Sequence, residues 1–299
     1  MLPIYQPYLP ASCLQYAHDA LDSTWISSQG VYIDKAKEKL KEVIGSKYLI
    51  LVNNGTCATH MLALGLKFKY PNLKKIIVPN NVYVAAWNSF LFSGGWEFEV
   101  IDANEHTWNI DHSKIKDGGK DTAFLAVHNL GNIINVPALK KRFPEMLIVE
   151  DDCEGLFGKY DGKYSGTESL ISSLSFFGNK TITSGEGGAV LTADEEIFEY
   201  LNSIRGQGQS SMRYIHDKLG YNYRMTNIQA ALLYGQLMIL DEIREKKSAV
   251  FELYKNELSG IDEISFQQLE PGTEHAQWMF GIRLNKFDFV KKRMLELFL

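Results

Sequence analysis

The sequence predicts an α/β protein built on a mainly parallel sheet with helices covering both faces. Two observations carry this: several short runs are apolar along their whole length instead of alternating, and helical patterns separate them. Residues 48–52 form the first run, ended by Asn53-Asn54-Gly55. A helix starts near Thr56 and carries Ala58, Met61, Leu62 and Leu66 on one face. Residues 75–78 are a second strand, stopped by Pro79-Asn80-Asn81, and a helical stretch follows over about 83–92. Residues 96–101 and 124–127 read as the third and fourth strands and 136–143 as a short helix. A fifth strand, 147–149, runs into Glu150-Asp151-Asp152, and another apolar run spans 170–174. From about 226 to 254 the pattern is long and helical, through Ile228, Ala231, Leu232, Leu237 and Leu240; it is expected to lead into a smaller C-terminal part. Helices over 15–22 and 31–43 are expected to pack against that part. Parallel sheets bind ligands at the carboxyl ends of their strands, so the segments beginning at Asn53, Pro79, His128 and Glu150 are the ones to search.

Composition narrows the function classes. A chain of 299 residues makes one large domain or about two ordinary ones, and buries a sizeable core without disulfides or metal. Hydrophobic content of 45% and charged content of 22% exclude disorder over most of it. With 31 Lys+Arg against 36 Asp+Glu the net charge is −5, which argues against a nucleic-acid partner. No apolar run reaches the roughly 18 residues that span a bilayer. The start has three prolines and no cationic stretch before an apolar core, unlike a signal peptide, so the expectation is a cytoplasmic chain with no membrane segment. Cys13, Cys57 and Cys153 fit no zinc spacing and read as reduced thiols. Without secretion, the Asn54-Gly55-Thr56 and Asn179-Lys180-Thr181 sequons carry no meaning.

Each candidate motif, taken singly, has a plain alternative. Asn53-Asn54-Gly55-Thr56-Cys57-Ala58 joins a strand, a glycine turn and a helix start, which gathers free N–H groups at the positive end of a helix dipole. Such a point binds phosphate, though a simple cap by Thr56 is the commoner outcome. The carboxylates of Glu150-Asp151-Asp152, at the end of an apolar strand, need a structural donor, a metal or a cationic ligand atom. Only Glu154 stands near enough to help hold a metal. Ser175-Phe176-Phe177-Gly178-Asn179-Lys180-Thr181 fails as a P-loop, because Leu174 and Asn179 occupy the glycine positions. Two readings of Lys180 stay open at this point: a solvated cation, or a buried amine neutral enough to attack a carbonyl. Gly185-Glu186-Gly187-Gly188 marks a tight turn where backbone comes close to something. Neither it nor Gly206-Gln207-Gly208 keeps the G-x-G-x-x-G spacing of a Rossmann dehydrogenase. H-E-x-x-H and G-x-S-x-G are also missing, which removes support for a zinc or serine hydrolase.

Taken in order, these stretches resemble the DegT/DnrJ/EryC1/StrS family of sugar aminotransferases. The resemblance runs from about residue 4 to 257 and includes Asn54-Gly55-Thr56, Val149-Glu150-Asp151, the segment from Ser175 to Lys180 and Gly185-Glu186-Gly187-Gly188. It continues through Arg205-Gly206-Gln207-Gly208 and the segment from Gly220 to Ala231. It implies the PLP-dependent transferase fold type I, aspartate aminotransferase-like. A large domain over 1–225 would bind the cofactor and a smaller, incomplete one would span 226–299. It also implies a role for each matched residue. Lys180 would form the Schiff base with pyridoxal 5'-phosphate and then shuttle a proton. Asp151 would keep the pyridine nitrogen protonated, and Glu154 would face the ring or its 3′-oxygen. Thr56, the Cys57 amide and the Ser175 hydroxyl would bind the phosphate, while Tyr83 would stack on the ring. Asn222 matches the asparagine by which a neighbouring subunit completes the phosphate site, so a homodimer with shared active sites is implied; Arg224 would support that loop.

The wording is most similar to the nucleotide-sugar 4-aminotransferases of the family. The implied reaction moves an amino group from L-glutamate to C4 of a nucleotide-linked 4-keto-6-deoxyhexose. Chemistry at C3, or an idle cofactor-fold binding protein, are the alternatives. One family branch has His in place of the lysine and deoxygenates its sugar; this chain keeps Lys180. Asp152-Cys153 departs from the small residues usual after the aspartate, and the extra carboxylate is expected to couple to Asp151. Trp25-Ile26-Ser27-Ser28-Gln29 and Ser211-Met212-Arg213-Tyr214 are candidate sugar contacts. The final residues, 291–299, read as an amphipathic helix with no cap, so a further C-terminal segment is expected.

Overall fold

A computed structural model describes residues 5–116 and 118–285; the helical end read at 291–299 lies outside them. Helices α1 (Ala11–Asp22) and α2 (Val31–Ile44) precede β1 (Tyr48–Val52), α3 (Gly55–Lys69) and β2 (Lys75–Pro79). Then come α4 (Ala85–Ser93), β3 (Glu97–Ile101), β4 (Thr122–Val127), α5 (Val136–Arg142) and β5 (Leu147–Asp151). The short β6 (Lys159–Tyr160) and β7 (Lys163–Tyr164) lead to β8 (Ile171–Ser175), β9 (Gly188–Thr192) and α6 (Glu195–Arg205). Two helices, α7 (Asn227–Met238) and α8 (Leu240–Leu258), and the small strands β10 (Ile264–Phe266), β11 (Thr273–Glu274) and β12 (Ile282–Leu284) follow.

Seven strands make the main sheet, in the order β1-β9-β8-β5-β4-β2-β3. Strand β9 runs antiparallel to both neighbours, and the remaining neighbours are parallel. Side chains alternate between two covered faces, as the continuous apolar runs require. Leu49, Leu51, Leu174 and Leu191 pack with α2 and α7, whereas Ile50, Val52, Val149 and Val190 pack with α3 and α6. Phe124, Ala126 and Ile148 extend the first face beneath Val136 and Leu139 of α5. Phe124, with no exposed surface, is among the largest fully buried side chains.

The structure departs from the sequence pattern in three places. The helical run from 226 is broken at Ile239 (φ −115°, ψ 21°), which separates α7 from α8. Helix α7, with the capping box of Thr226 and Gln229 at its start, packs in the same cluster as β1 and α2 although it lies past residue 225. Strand β9 and helix α6 add to the elements that the sequence pattern predicts. The first is hidden behind the glycine turn, and the second carries a legible signal in Asp194, whose side chain accepts from the Ile197 amide. Gly188 explains the turn: a Cβ there would lie 2.6 Å from the Asn54 carbonyl oxygen and 2.7 Å from that of Leu174.

Candidate active site

The carboxyl ends of β5 and β8 and the start of α3 surround a cavity of about 550 Å³. Strand alternation decides which side chains reach it. On β8, Leu174 faces the other side of the sheet, while the Ser173 hydroxyl meets Thr59 of α3 at 3.0 Å and Ser175 lines the cavity. Gly55, the first residue of α3, lets that helix start against β8, because a Cβ there would lie 2.7 Å from Ser175 Oγ. The first turn of α3 thereby opens beside a hydroxyl, a constellation suited to an anion. One expectation is corrected here. The Cys57 amide is not free: it donates to Asn54 Oδ1 at 2.8 Å, the N-cap of the helix, which leaves the amides of Gly55 and Thr56 for a ligand. Burial lifts the Cys57 thiol to about 11, so it stays protonated and inert.

Lys180 sits across the cavity at the end of a tight turn, where its amide donates to the Phe177 carbonyl at 2.9 Å. Its Nζ lies 3.8 Å from Glu154 Oε1, and both side chains are only 13% exposed. Glu154 is oriented by its other oxygen, which accepts from the Leu130 amide at 2.8 Å. Burial pushes the Glu154 carboxyl above its ordinary range, with Lys180 opposing the shift. Desolvation also carries the Cys153 thiol well upward, helped by the neighbouring Asp151 charge.

The three carboxylates at the end of β5 divide between the faces. Asp151 follows Val149 onto the α3 side and lines the cavity. Glu150 and Asp152 both lie beside His128, and none of these three side chains has exposed surface. His128 Nδ1 accepts from the Ile134 amide at 3.1 Å, so its Nε2 carries the proton and donates to Glu150 Oε1 at 3.0 Å. Glu150 also receives the Gly166 amide at 3.0 Å and the Tyr160 hydroxyl at 3.3 Å. Burial works against the ionised Glu150, yet these donors hold its carboxyl below the usual range. Asp152 has less help: neither oxygen lies within hydrogen-bond distance of a donor among the described residues, His128 Nε2 stands 3.7 Å away, and burial outweighs its pull and lifts the carboxyl to about 8. The extra carboxyl therefore keeps its proton and adds no charge next to the ionised Glu150.

Thr56, Cys57, Tyr83, Asp151, Glu154, Ser175 and Lys180 all line the one cavity. Asn222 does not; it is exposed, and its carbonyl accepts from Asn53 Nδ2 at 3.5 Å. Trp25 and the segment around Met212 and Tyr214, read as candidate sugar contacts, are exposed and stand outside the cavity of this chain. Sequence reasoning missed the aromatic wall of Phe92, Phe177, Tyr223 and Trp278, and also Glu186. Tyr223 had a signal, since it follows Asn222 directly; Trp278 had none. Among the described residues no three His, Cys, Asp or Glu side chains are placed so that they could hold a metal ion.

Comparison with known proteins places this geometry. The DegT/DnrJ/EryC1/StrS aminotransferase family matches residues 8–298. GDP-perosamine synthase of Escherichia coli is 36% identical over 286 residues, which cover 94% of this chain and 77% of that protein. The GDP-perosamine synthase of Vibrio cholerae is 35% identical over 292 residues, covering 96% and 78%. Among solved structures, E. coli GDP-4-keto-6-deoxy-D-mannose-3-dehydratase with bound hydrated PLP aligns with a TM-score of 0.87 at 25% identity. That alignment covers 99% of this chain and 82% of the other.

Proposed function

The chain belongs to the DegT/DnrJ/EryC1/StrS aminotransferase family, and on that premise we propose that it transfers the amino group of L-glutamate to C4 of a nucleotide-linked 4-keto-6-deoxyhexose, with pyridoxal phosphate as cofactor. The cavity's donor set fits that cofactor. An anion cradle of α3 amides and Ser175 lies at one end, and a carboxylate and an amine, Asp151 and Lys180, line the same space. When bound, pyridoxal phosphate supplies an aldehyde for the amino group and a ring that withdraws electrons from the reacting carbon.

The chain's own residues do the rest. The amides of Gly55 and Thr56, with the Thr56 and Ser175 hydroxyls, hold the phosphate at the positive end of α3. Asp151, buried and lining the cavity, would pair with the pyridine nitrogen and keep a proton on it. Lys180 Nζ is the amine that would hold the cofactor through its aldehyde carbon, with loss of water, and when free it would carry a proton to or from C4′. Glu154 faces that amine, and Tyr83 covers the ring. In this reading residues 1–225 carry the cofactor and 226 onward builds the smaller part. Asn222 of a second copy completes the phosphate site; its exposed position outside its own cavity supports such a contribution. No helix among the described residues is long and apolar enough to cross a membrane, and we place the reaction in the cytoplasm.

The observation that carries this reading is Lys180 Nζ, 3.8 Å from Glu154, in the cavity that Asp151 and Ser175 also line. Protein loaded with pyridoxal phosphate and reduced with borohydride is expected to carry the cofactor on the Lys180 peptide. A panel of GDP-, UDP- and dTDP-linked ketosugars with L-glutamate, read by product mass, identifies the acceptor and distinguishes C4 from C3. Lys180→Ala is expected to abolish turnover; a variant that kept it would overturn the assignment.

A further inference from the structure

The group that covers Lys180 comes from nearly one hundred residues further along the chain. Trp278 lies between β11 and β12, and its ring centroid is 4.1 Å from Lys180 Nζ. Its indole N–H donates to the Asn179 carbonyl at 2.7 Å, one residue before the lysine. The segment that carries it is pinned twice. The Ala276 amide donates to the Gly131 carbonyl at 2.8 Å, and half-buried Lys247 donates from Nζ to the Trp278 carbonyl at 3.1 Å. The neighbouring Leu130 amide is the donor that orients Glu154. A single turn, Leu130-Gly131, thus binds both Glu154 and the segment that carries Trp278, two of the groups that face the amine.

An indole face attracts an ammonium and has little hold on a neutral amine, and the attraction grows where water is excluded. The other groups around this amine are few. Glu154 is its ion-pair partner, and Asp151 and Cys153 face it from the end of β5. The Tyr5 hydroxyl reaches the Lys180 carbonyl at 3.4 Å. Burial raises the Glu154 carboxyl above its ordinary range, and the nearby Lys180 opposes that shift.

We propose that Trp278 is a positioning residue for Lys180: its ring holds the amine in its protonated, cofactor-free state, and its indole N–H ties the lysine-bearing turn to the C-terminal segment. This rests on the reading of Lys180 as the amine that joins the cofactor. It adds that the part of the chain beyond α8 governs when that amine is held and when it is released.

The test uses cofactor-free protein, acetic anhydride as the probe and mass spectrometry of the Lys180 peptide across pH 7 to 11. Only the free amine reacts, so the position of the labelling profile on the pH axis reports how firmly the ammonium is held, while mere accessibility alters its height. Trp278→Leu is expected to move the profile about half a unit to one unit toward lower pH. Trp278→Phe keeps a ring and is expected to restore most of that shift. An unmoved profile in folded Trp278→Leu, or equal shifts in the Leu and Phe variants, would overturn the proposal. Should the Leu variant fail to fold, biosynthetic 5-fluorotryptophan weakens the negative ring face while keeping its shape. It must still move the Lys180 profile to lower pH, and an unmoved profile overturns the proposal in that case too. Cofactor loading is measured separately. A chain that binds no pyridoxal phosphate refutes the proposed function and leaves the labelling result standing.

Discussion

Asp152→Asn probes the proton held behind the cavity. The Asp152 carboxyl is fully buried, and burial raises it to about 8 from an ordinary 3.8. Between those two values the unfolded chain has released the proton and the folded chain has kept it. The unfolded state binds fewer protons there, so stability falls as pH rises, by about 1.4 kcal/mol per unit. At pH 7 the three units above 3.8 amount to about 4 kcal/mol; coupling to Glu150 and His128 in the same buried cluster brings the expectation to about 2–4 kcal/mol. Glu150 runs the other way. Its lowered carboxyl contributes stability that is lost only as pH falls below about 4.5, outside the window of interest. Asparagine keeps the shape of the side chain without ionising. Its unpaired amide adds an offset of about 1–3 kcal/mol that does not change with pH, so the slope is the quantity to read. Urea-unfolding midpoints of both proteins are measured from pH 5 to 9 at one fixed protein concentration, since association would shift them. The variant is expected to gain on the parent by about 1 kcal/mol per pH unit up to about pH 8 and to run parallel above it. Curves that stay parallel throughout would refute a neutral, proton-bearing Asp152.

Two further outcomes follow from named contacts. Gly55→Ala places a Cβ 2.7 Å from Ser175 Oγ, so the start of α3 must shift from β8; phosphate and pyridoxal phosphate affinities, measured by titration calorimetry, are expected to fall about tenfold or more, equivalent to about 1.4 kcal/mol. Thr226→Ala removes the side chain that caps α7 and bonds Gln229, and is expected to lower unfolding free energy by about 1 kcal/mol without altering cofactor affinity.

Much of the fold was legible because its signals are local. Runs such as 48–52 and 124–127 are apolar throughout, and the sheet buries both of their faces. The direction of β9 was not legible: Gly-Ala-Val-Leu-Thr reads alike in a parallel and an antiparallel ladder, and only its pairing with β1 and β8 decides. Site residues close to a strand end announced themselves through their neighbours, as Lys180 did after Ser175 and Glu154 after Asp151. Trp278 could not, because nothing in its own surroundings refers to a turn nearly one hundred residues earlier. Cys57 shows the opposite error. Its place at a helix start is right, but the Asn54 side chain competes for its amide, and that competition is visible only in three dimensions.

By itself the sequence determined the alternation of strands and helices from β1 to β5, the family to which the chain belongs, and the chemical inventory at the strand ends. Those are properties of spacing and residue type, which the linear chain already contains. The tertiary structure decided which of three adjacent carboxylates does which task. Side chains alternate across a strand, so Glu150 and Asp152 share one face and Asp151 takes the other. Which face meets the cavity and which meets the core depends on where α3 and the His128 turn pack. Their packing leaves Asp151 lining the cavity with Lys180, gives Glu150 its donors and leaves Asp152 holding a proton.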